Sequence, residues 1–350
     1  MIRRSVAALF AIAVCVCVCG KDAAAQGSQA CGTGWFCSDY GGGPAGPCAP
    51  TPPPPAIFVG SETYHTFLYS VATSACYRGN PNDACPWCTT AGKPINLATG
   101  NTYIEQTDVS VPGLGGGLTL ARTWNSKFPS VQGSSPVGIF GPNWRSTYEE
   151  RIFVSSDGYF KYSRGDGSVW SFGYASSPSD GNFKYQTVSP ANGGGSASLV
   201  ITPSSWPITF GNGEQRLFDT KSGNLISIVD RNGNKTQISY DSAGRLSSVT
   251  DPAGRHLYFN YPSSGSLVTS VTSDVGLTLS YSYDNQGRLI QVTKPDQSTV
   301  LFTYDSNSMI TAVTDSQGKI LESHTYDSSG RGLSSSRAGG IDSLTISYPK

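Results

Sequence analysis

Tyr240-Asp241-Ser242-Ala243-Gly244-Arg245-Leu246-Ser247-Ser248-Val249-Thr250-Asp251-Pro252-Ala253-Gly254-Arg255 holds two turn signatures separated by one short apolar alternation. An Asp at the head of a turn accepts hydrogen bonds from the amides that follow, and a Gly three residues on can enter the left-handed region that other residues avoid. The stretch therefore reads as turn, strand, turn, and the aromatic that opens it recurs. Phe218, Tyr240, Tyr261, Tyr283, Tyr304, Tyr326 and Tyr348 fall at intervals of 22, 21, 22, 21, 22 and 22 residues. A fixed period of this length marks a stacked array, in which each unit buries its apolar face only against its neighbours.

The positions that define the units are Phe218 and Asp219; Tyr240, Asp241, Gly244 and Arg245; Tyr261; Tyr283, Asp284, Gly287 and Arg288; Tyr304 and Asp305; Tyr326, Asp327, Gly330 and Arg331. Leu246 with Val249, Leu289 with Val292, and Ile310 with Val313 recur at equivalent places. They are expected to face the interior, each contributing roughly 1.5–3 kcal/mol. Each unit is a two-strand hairpin, so the array predicts on the order of twelve strands and nearly 60 Å of sheet at a spacing of about 4.8 Å. A sheet that wide must curl to cover its apolar face. The expected fold is all-β: a β-meander opening domain, then hairpins forming a curved, partly open β-sheet shell. Its last strand would present an unpaired edge that invites association with another chain.

Working outward, residues 89–196 carry alternating strands with turn chemistry at Asp157-Gly158 and Asp166-Gly167 and form the opening β domain. Residues 197–217, containing Gly211-Asn212-Gly213, read as a connecting hairpin, and 218–350 as about six units that break off as a seventh begins. Residues 26–88 are rich in Gly, Pro and Cys and hold too few apolar residues for a core without covalent help. They read as a stapled extension. Residues 1–25 place Arg3 and Arg4 before the apolar run Ser5 to Cys19 and Ala23-Ala24-Ala25, the pattern of a secretory signal cleaved after Ala25. That run is shorter than the roughly 20 residues a membrane helix needs, and no later segment is apolar enough to span. The predicted location is secreted or in the periplasm and cell envelope.

Removing the signal leaves Cys31, Cys37, Cys48, Cys76, Cys85 and Cys88. An even count in an exported chain reads as disulfides. Three lie on each side of Pro52-Pro53-Pro54-Pro55, so full pairing requires a bridge across that run. The mature chain carries 21 basic and 23 acidic residues, a formal charge of −2 that gives no electrostatic reason to bind nucleic acid.

Tyr-Asp-x-x-Gly-Arg-Leu, present at Tyr240–Leu246 and Tyr283–Leu289 and shortened at Tyr304-Asp305 and Tyr326–Arg331, resembles the YD repeat of bacterial Rhs proteins. Gly92–Asn101, Thr107-Asp108, Pro112-Gly113, Arg122-Thr123-Trp124-Asn125-Ser126 and Gly141-Pro142-Asn143-Trp144 resemble the domain that opens the Rhs core. The resemblance spans about Gly92 to Lys350. It implies a β-shell of the kind found in teneurins and insecticidal toxin complexes, enclosing a toxin or other cargo, and in some accounts binding carbohydrate. This sequence departs from that pattern in having few repeats, no aspartate-centred self-cleavage segment and no toxin after the array. Asp251-Pro252-Ala253-Gly254 superficially matches the self-cleavage motif but reads as a proline-containing turn.

Candidate chemistry is sparse. His65, His256 and His324 are scattered, and His256 and His324 are expected to be partly exposed sheet residues. Zincin, nucleophile-elbow and phosphate-loop patterns are absent, so the sequence does not predict an enzyme or a cofactor. Cys85-Pro86-Trp87-Cys88 has redox spacing without the helix N-terminus that lowers a thiol pKa. Asp230, Asn232 and Asn234 alternate like calcium ligands but lack the later bidentate glutamate, and read as a hairpin, not a metal site. Trp124, Trp144, Trp170 and Trp206 would make a sugar platform only if exposed; in strands such residues usually pack. The leading expectation is an exported, non-enzymatic Rhs-type wall acting by encapsulation or surface binding, with a cell-surface glycan, a protein cargo or a partner strand as its ligand. The alternatives are a carbohydrate-binding envelope protein and a toxin-less portion of a longer polymorphic toxin.

Overall fold

The computed structural model describes residues 95–96, 99–128, 137–155, 158–176, 182–189, 197–337 and 340–348, and the backbone of a few two-residue strands before them. The chain divides into two units, Met1–Tyr77 and Arg78–Lys350. The second unit holds every described residue from 95 onward. The signal segment, the six mature-chain cysteines, His65 and Asp157 lie outside the described residues.

Among the described residues the only helical turn is a 3₁₀ turn at Leu114–Gly116; all else is strand and turn. Strands β1 (Tyr103–Val111), β2 (Leu118–Asn125) and β3 (Trp144–Ser146) form a small antiparallel sheet in the order β3-β2-β1. Nineteen further strands form one antiparallel sheet in which every strand pairs with its neighbours in sequence. They are β4 (Arg151–Val154), β5 (Phe160–Ser163), β6 (Val169–Ser176), β7 (Phe183–Ser189), β8 (Ala197–Ile201), β9 (Trp206–Phe210), β10 (Gln215–Phe218), β11 (Leu225–Val229), β12 (Lys235–Tyr240), β13 (Leu246–Thr250), β14 (His256–Asn260), β15 (Ser270–Ser273), β16 (Thr278–Tyr283), β17 (Leu289–Thr293), β18 (Thr299–Tyr304), β19 (Ile310–Asp315), β20 (Ile320–Tyr326), β21 (Gly332–Arg337) and β22 (Ile341–Thr345). Pairing runs unbroken from the opening strands into the repeats.

The repeat forms as its residues dictate. Asp241 Oδ1 accepts the amides of Ala243 and Arg245 at 2.9 Å each, and Gly244 closes the turn at φ +76°. Within the strands, residues alternate between a buried face and an outer one. Ile238, Val249, Leu257, Val271, Leu279, Val292 and Val313 are buried, while Gln237, Asn260, Ser280 and Ser282 are exposed. A register shift precedes the repeat tyrosine at Tyr240, Tyr283, Tyr304 and Tyr326. Bulges at these four equivalent places bend and twist the strands, which curls the sheet.

The leading strands curl back on themselves. Phe160 on β5 packs edge-on against Trp206 on β9 at 5.6 Å, and Tyr162 against Phe218 on β10 at 5.5 Å. These strands are several pairings apart, so their faces meet only because the sheet turns back on itself. Its first edge is consequently tied down: the Ile152 amide donates to Gly223 O at 2.8 Å and the Leu225 amide to Glu150 O at 3.1 Å. The other edge, β22, has no further strand beside it among the described residues.

Candidate functional site

The first feature that repeats with the sequence period is a ladder of hydroxyls. Tyr240, Tyr261, Tyr283, Tyr304, Tyr326 and Tyr348 donate to the carbonyls of Leu225, Leu246, Val268, Leu289, Ile310 and Gly332 respectively, at 2.7–2.9 Å. Five of these acceptors are the first strand residue after the preceding unit's turn, and Val268 lies two residues before its strand. A phenylalanine would pack equally well but would leave that carbonyl without its donor; Phe218, at the head of the array, is the one such position.

Asp and Arg extend the ladder. Asp241, Asp284 and Asp327 receive the Nε of Arg245, Arg288 and Arg331 at 2.6–2.7 Å. Each guanidinium then lies over the next unit's ring, with 4.5 Å from Arg245 to Tyr261, 4.9 Å from Arg288 to Tyr304 and 4.2 Å from Arg331 to Tyr348. The corner motif is thus a device that couples one unit to the next. Burial pushes the Tyr304 hydroxyl up to about 12, so it stays a proton donor at neutral pH.

The second feature lies on the buried face. Strand β1 runs across the repeats. The Gly332 amide donates to Gly100 O at 2.8 Å, Tyr281 OH to Asp108 Oδ2 at 2.8 Å, and Arg255 Nη2 to Pro112 O at 3.0 Å. From residue 100 to 112 an extended chain rises about 40 Å, while the seven strand spacings from β21 to β14 amount to about 34 Å. The two sheets therefore cross at a steep angle, as in orthogonal packing. The opening segment covers the apolar face that a short array cannot hide by itself.

Its anchor is a buried ion pair. Arg122 and Asp108 side chains are each 1% exposed, and Arg122 Nη2 donates to Asp108 Oδ1 at 2.8 Å. The guanidinium sits among Trp144, Phe140, Tyr281 and Phe302, at 4.7, 5.5, 5.6 and 6.0 Å from their ring centres. Burial alone would favour losing the Arg122 proton, but Asp108 outweighs it and the group is held above its ordinary value. Burial first, and then the Asp108 carboxylate, push the Tyr281 hydroxyl well up, so it remains a donor. Further backbone contacts follow in antiparallel order along the chain, Val268 N–H to Ile139 O at 2.8 Å after the Gly100 contact and before the Glu150 one.

The third feature is the outer face. Ser239, Ser248, Tyr258, Thr272 and Thr278 stand side by side across five strands. Tyr258 is 41% exposed, stacked on His256, whose Nδ1 lies 2.8 Å from Asp274 Oδ2.

Several expected sites resolve differently. Trp124, Trp144, Trp170 and Trp206 are all buried, so they form no exposed platform. His324 is buried, at 3% exposure, and not partly exposed as its strand position implied; it occupies the inward position that Phe302, Tyr281, Phe259 and Ile238 fill in other units, and neither ring nitrogen has a hydrogen-bond partner. Asp230 accepts the Asn232 and Asn234 amides at 2.8 and 2.9 Å and Asn234 Nδ2 at 2.7 Å, the arrangement of a hairpin. Asp251 likewise heads a turn, accepting from Ala253 and Arg255.

These features define an all-β repeat wall with a β segment seated on its inner face. Residues 206–337 match the Teneurin YD-shell family and residues 92–172 match a domain of unknown function, DUF6531. The two matches together support the resemblance to Rhs/YD-repeat proteins. It is similar to the tRNA nuclease WapA of Bacillus subtilis (strain 168), 28% identical over 153 residues, which is 44% of this chain and 6% of the relative. The tRNA3(Ser)-specific nuclease WapA of Bacillus spizizenii matches to the same extent. The chain thus spans a small fraction of these relatives. Among solved structures, TcdB2-TccC3 without its hypervariable C-terminal region aligns with 67% of this chain and 15% of that one, at 12% identity and TM-score 0.28. The Photorhabdus luminescens Tc holotoxin pore aligns with 55% of this chain and 11% of that one, at 12% identity and TM-score 0.26.

Proposed function

We propose that this chain is an exported, non-catalytic wall that acts by surface binding. The observation that carries this reading is the occupied inner face: Arg122, Phe140, Trp124 and Trp144 are buried against the repeats, so the face that would enclose a cargo is filled by the chain's own opening segment. The outer face and the β22 edge remain for a partner, whether a glycan, a protein or an added strand. The test is binding of the full chain to cell-envelope preparations, comparing the parent with Ser248→Lys/Thr272→Lys, which alters only the outer row. A tenfold loss of binding supports the proposal. Unchanged binding, or a hydrolytic activity purifying with the protein, contradicts it.

A carbohydrate-binding envelope protein is the second reading, favoured by Tyr258: it is an exposed aromatic ring in a row of hydroxyl side chains. Rings and neutral donors of this kind suit sugar faces and hydroxyls. A glycan array with the parent and Tyr258→Ala separates the two readings, because only the sugar reading requires loss with Ala. The third reading, a toxin-less portion of a longer polymorphic toxin, draws support from the small share of the WapA nucleases that this chain spans. Sequencing the gene across the codons that follow position 350 tests it.

A further inference from the structure

Charge in the repeat sheet is confined to its rims. Strands β13 to β18 contain no Asp, Glu, Lys or Arg, although such residues ordinarily fill about a quarter to a third of a solvated surface. The turns that join these strands hold the charges, largely as pairs: Asp241 with Arg245 and Asp284 with Arg288 at the corners, Asp251 with Arg255 at the opposite end. The one histidine of these strands, His256, has its Nδ1 2.8 Å from Asp274 in the turn after β15. Between the rims, hydroxyls and amides dominate the outward positions. Beside the row that contains Tyr258 runs a second row, Asn260, Ser270, Ser280, Thr293 and Thr299, one residue from each of β14 to β18. Asn260 Nδ2 ties the two rows together, donating to Ser270 Oγ at 3.2 Å and Thr272 Oγ1 at 3.4 Å. We propose, resting on the outer-face reading above, that these rows form one binding strip for a linear, uncharged polysaccharide lying across the strands.

The direction follows from shape. Along a strand, a ligand soon runs onto a charged turn, whereas across the strands the second row alone spans four spacings, about 19 Å. An extended pyranose chain advances by about one strand spacing per sugar, so successive sugars meet the hydroxyls of successive strands. The chemistry follows from composition. A strip without Lys or Arg offers little attraction to a polyanion, and Ser and Thr are scarce among the side chains that anchor protein partners. A hydroxyl both donates and accepts, which matches a ligand whose own polar groups are hydroxyls. Tyr258, 41% exposed, adds a ring face for one sugar of the chain.

The test is calorimetric titration of the full chain with linear neutral oligosaccharides of glucose, mannose and N-acetylglucosamine, and with a polyuronate. At least one neutral series should gain tenfold or more in affinity from disaccharide to pentasaccharide, with less than a twofold change between about 50 and 500 mM salt. The polyuronate should not bind. Ser280→Lys/Thr293→Lys should weaken the pentasaccharide at least tenfold. Should the lysines disturb the fold, Ser280→Ala/Thr293→Val removes the same hydroxyls without adding charge and should weaken it at least threefold. Equal affinities for the short and long sugars, salt-sensitive binding of the polyuronate alone, or a dimer that the lysine variant dissociates would each overturn the proposal. Envelope binding that is lost in Ser248→Lys/Thr272→Lys while no neutral oligosaccharide binds would overturn it too, yet leave the outer-face reading standing. Envelope binding unchanged in that variant would overturn both.

Discussion

The Tyr261 hydroxyl donates to the Leu246 carbonyl at 2.8 Å while the guanidinium of the adjacent Arg245 lies 4.5 Å from the centre of that same ring. One tyrosine thus reads two neighbouring residues of the unit before it, and the contact recurs down the array. The period in the sequence is a period of couplings.

Tyr283→Phe removes a donor and leaves Val268 O with no replacement on a part-buried ladder. The expected destabilisation is about 1 kcal/mol, read as a lower urea midpoint at unchanged slope. A midpoint equal to the parent's would mean that the hydroxyl ladder contributes nothing.

Two glycines should respond differently to alanine. Gly244 has open space around its missing Cβ and φ +76°, so Gly244→Ala should cost about 1–2 kcal/mol from backbone strain alone. At Gly223 the added carbon would lie 1.9 Å from Ile152 O, so the substitution must also break the tie at the leading edge. Faster exchange at Ile152 in Gly223→Ala, and not in Gly244→Ala, is the expected result.

His324→Phe should stabilise. The imidazole is buried, with neither nitrogen hydrogen-bonded and Nε2 3.6 Å from Glu322 Oε2, at an inward position where other units carry an apolar or aromatic side chain. Removing an unsatisfied buried polar group is expected to return about 1–2 kcal/mol, seen as a higher melting temperature. A lower one would show that the ring makes a contact the fold needs.

Acid should loosen the corners. The Arg245 amide first, then its guanidinium, hold the Asp241 carboxyl below its ordinary range. At Asp284 and Asp327 burial pulls the other way, but the amide and guanidinium of Arg288 and Arg331 outweigh it. A carboxyl lowered in the folded state contributes stability above its unfolded value, near pH 4, and that contribution fades as pH falls through the folded value. Stability should therefore be flat near neutrality and decline below about pH 4, and Asp284→Asn should flatten the acid limb. An acid limb identical to the parent's would separate these corners from acid unfolding.

The hairpin units were legible because their cause is local. The amides that Asp241 and Asp284 accept lie two and four residues away, and the glycines close the same turns, so spacing alone places the strands. The inward pairs Leu246–Val249, Leu289–Val292 and Ile310–Val313 followed from the same alternation. What spacing could not show was the partner of each tyrosine hydroxyl, 15 or 16 residues back, or the seating of residues 99–146 across the array. One signal was present: Leu118, Leu120, Arg122 and Trp124 share one strand face, and an arginine on an apolar stripe needs a buried carboxylate. Asp108 meets that need, but the third member, Tyr281, stands 173 positions away and looks in sequence like any inward residue.

The central claim, that the opening segment is seated on the inner face of the repeats, is tested most directly by a double-mutant cycle between Asp108→Asn on β1 and Tyr281→Phe on β16. Asp108→Asn alone should cost about 3 kcal/mol or more by leaving Arg122 without its partner. The seated arrangement predicts a coupling of about 1 kcal/mol or more between the two changes in chemical denaturation. Effects that add to within about 0.3 kcal/mol would mean that the two side chains do not meet, and the filled wall would have to be abandoned.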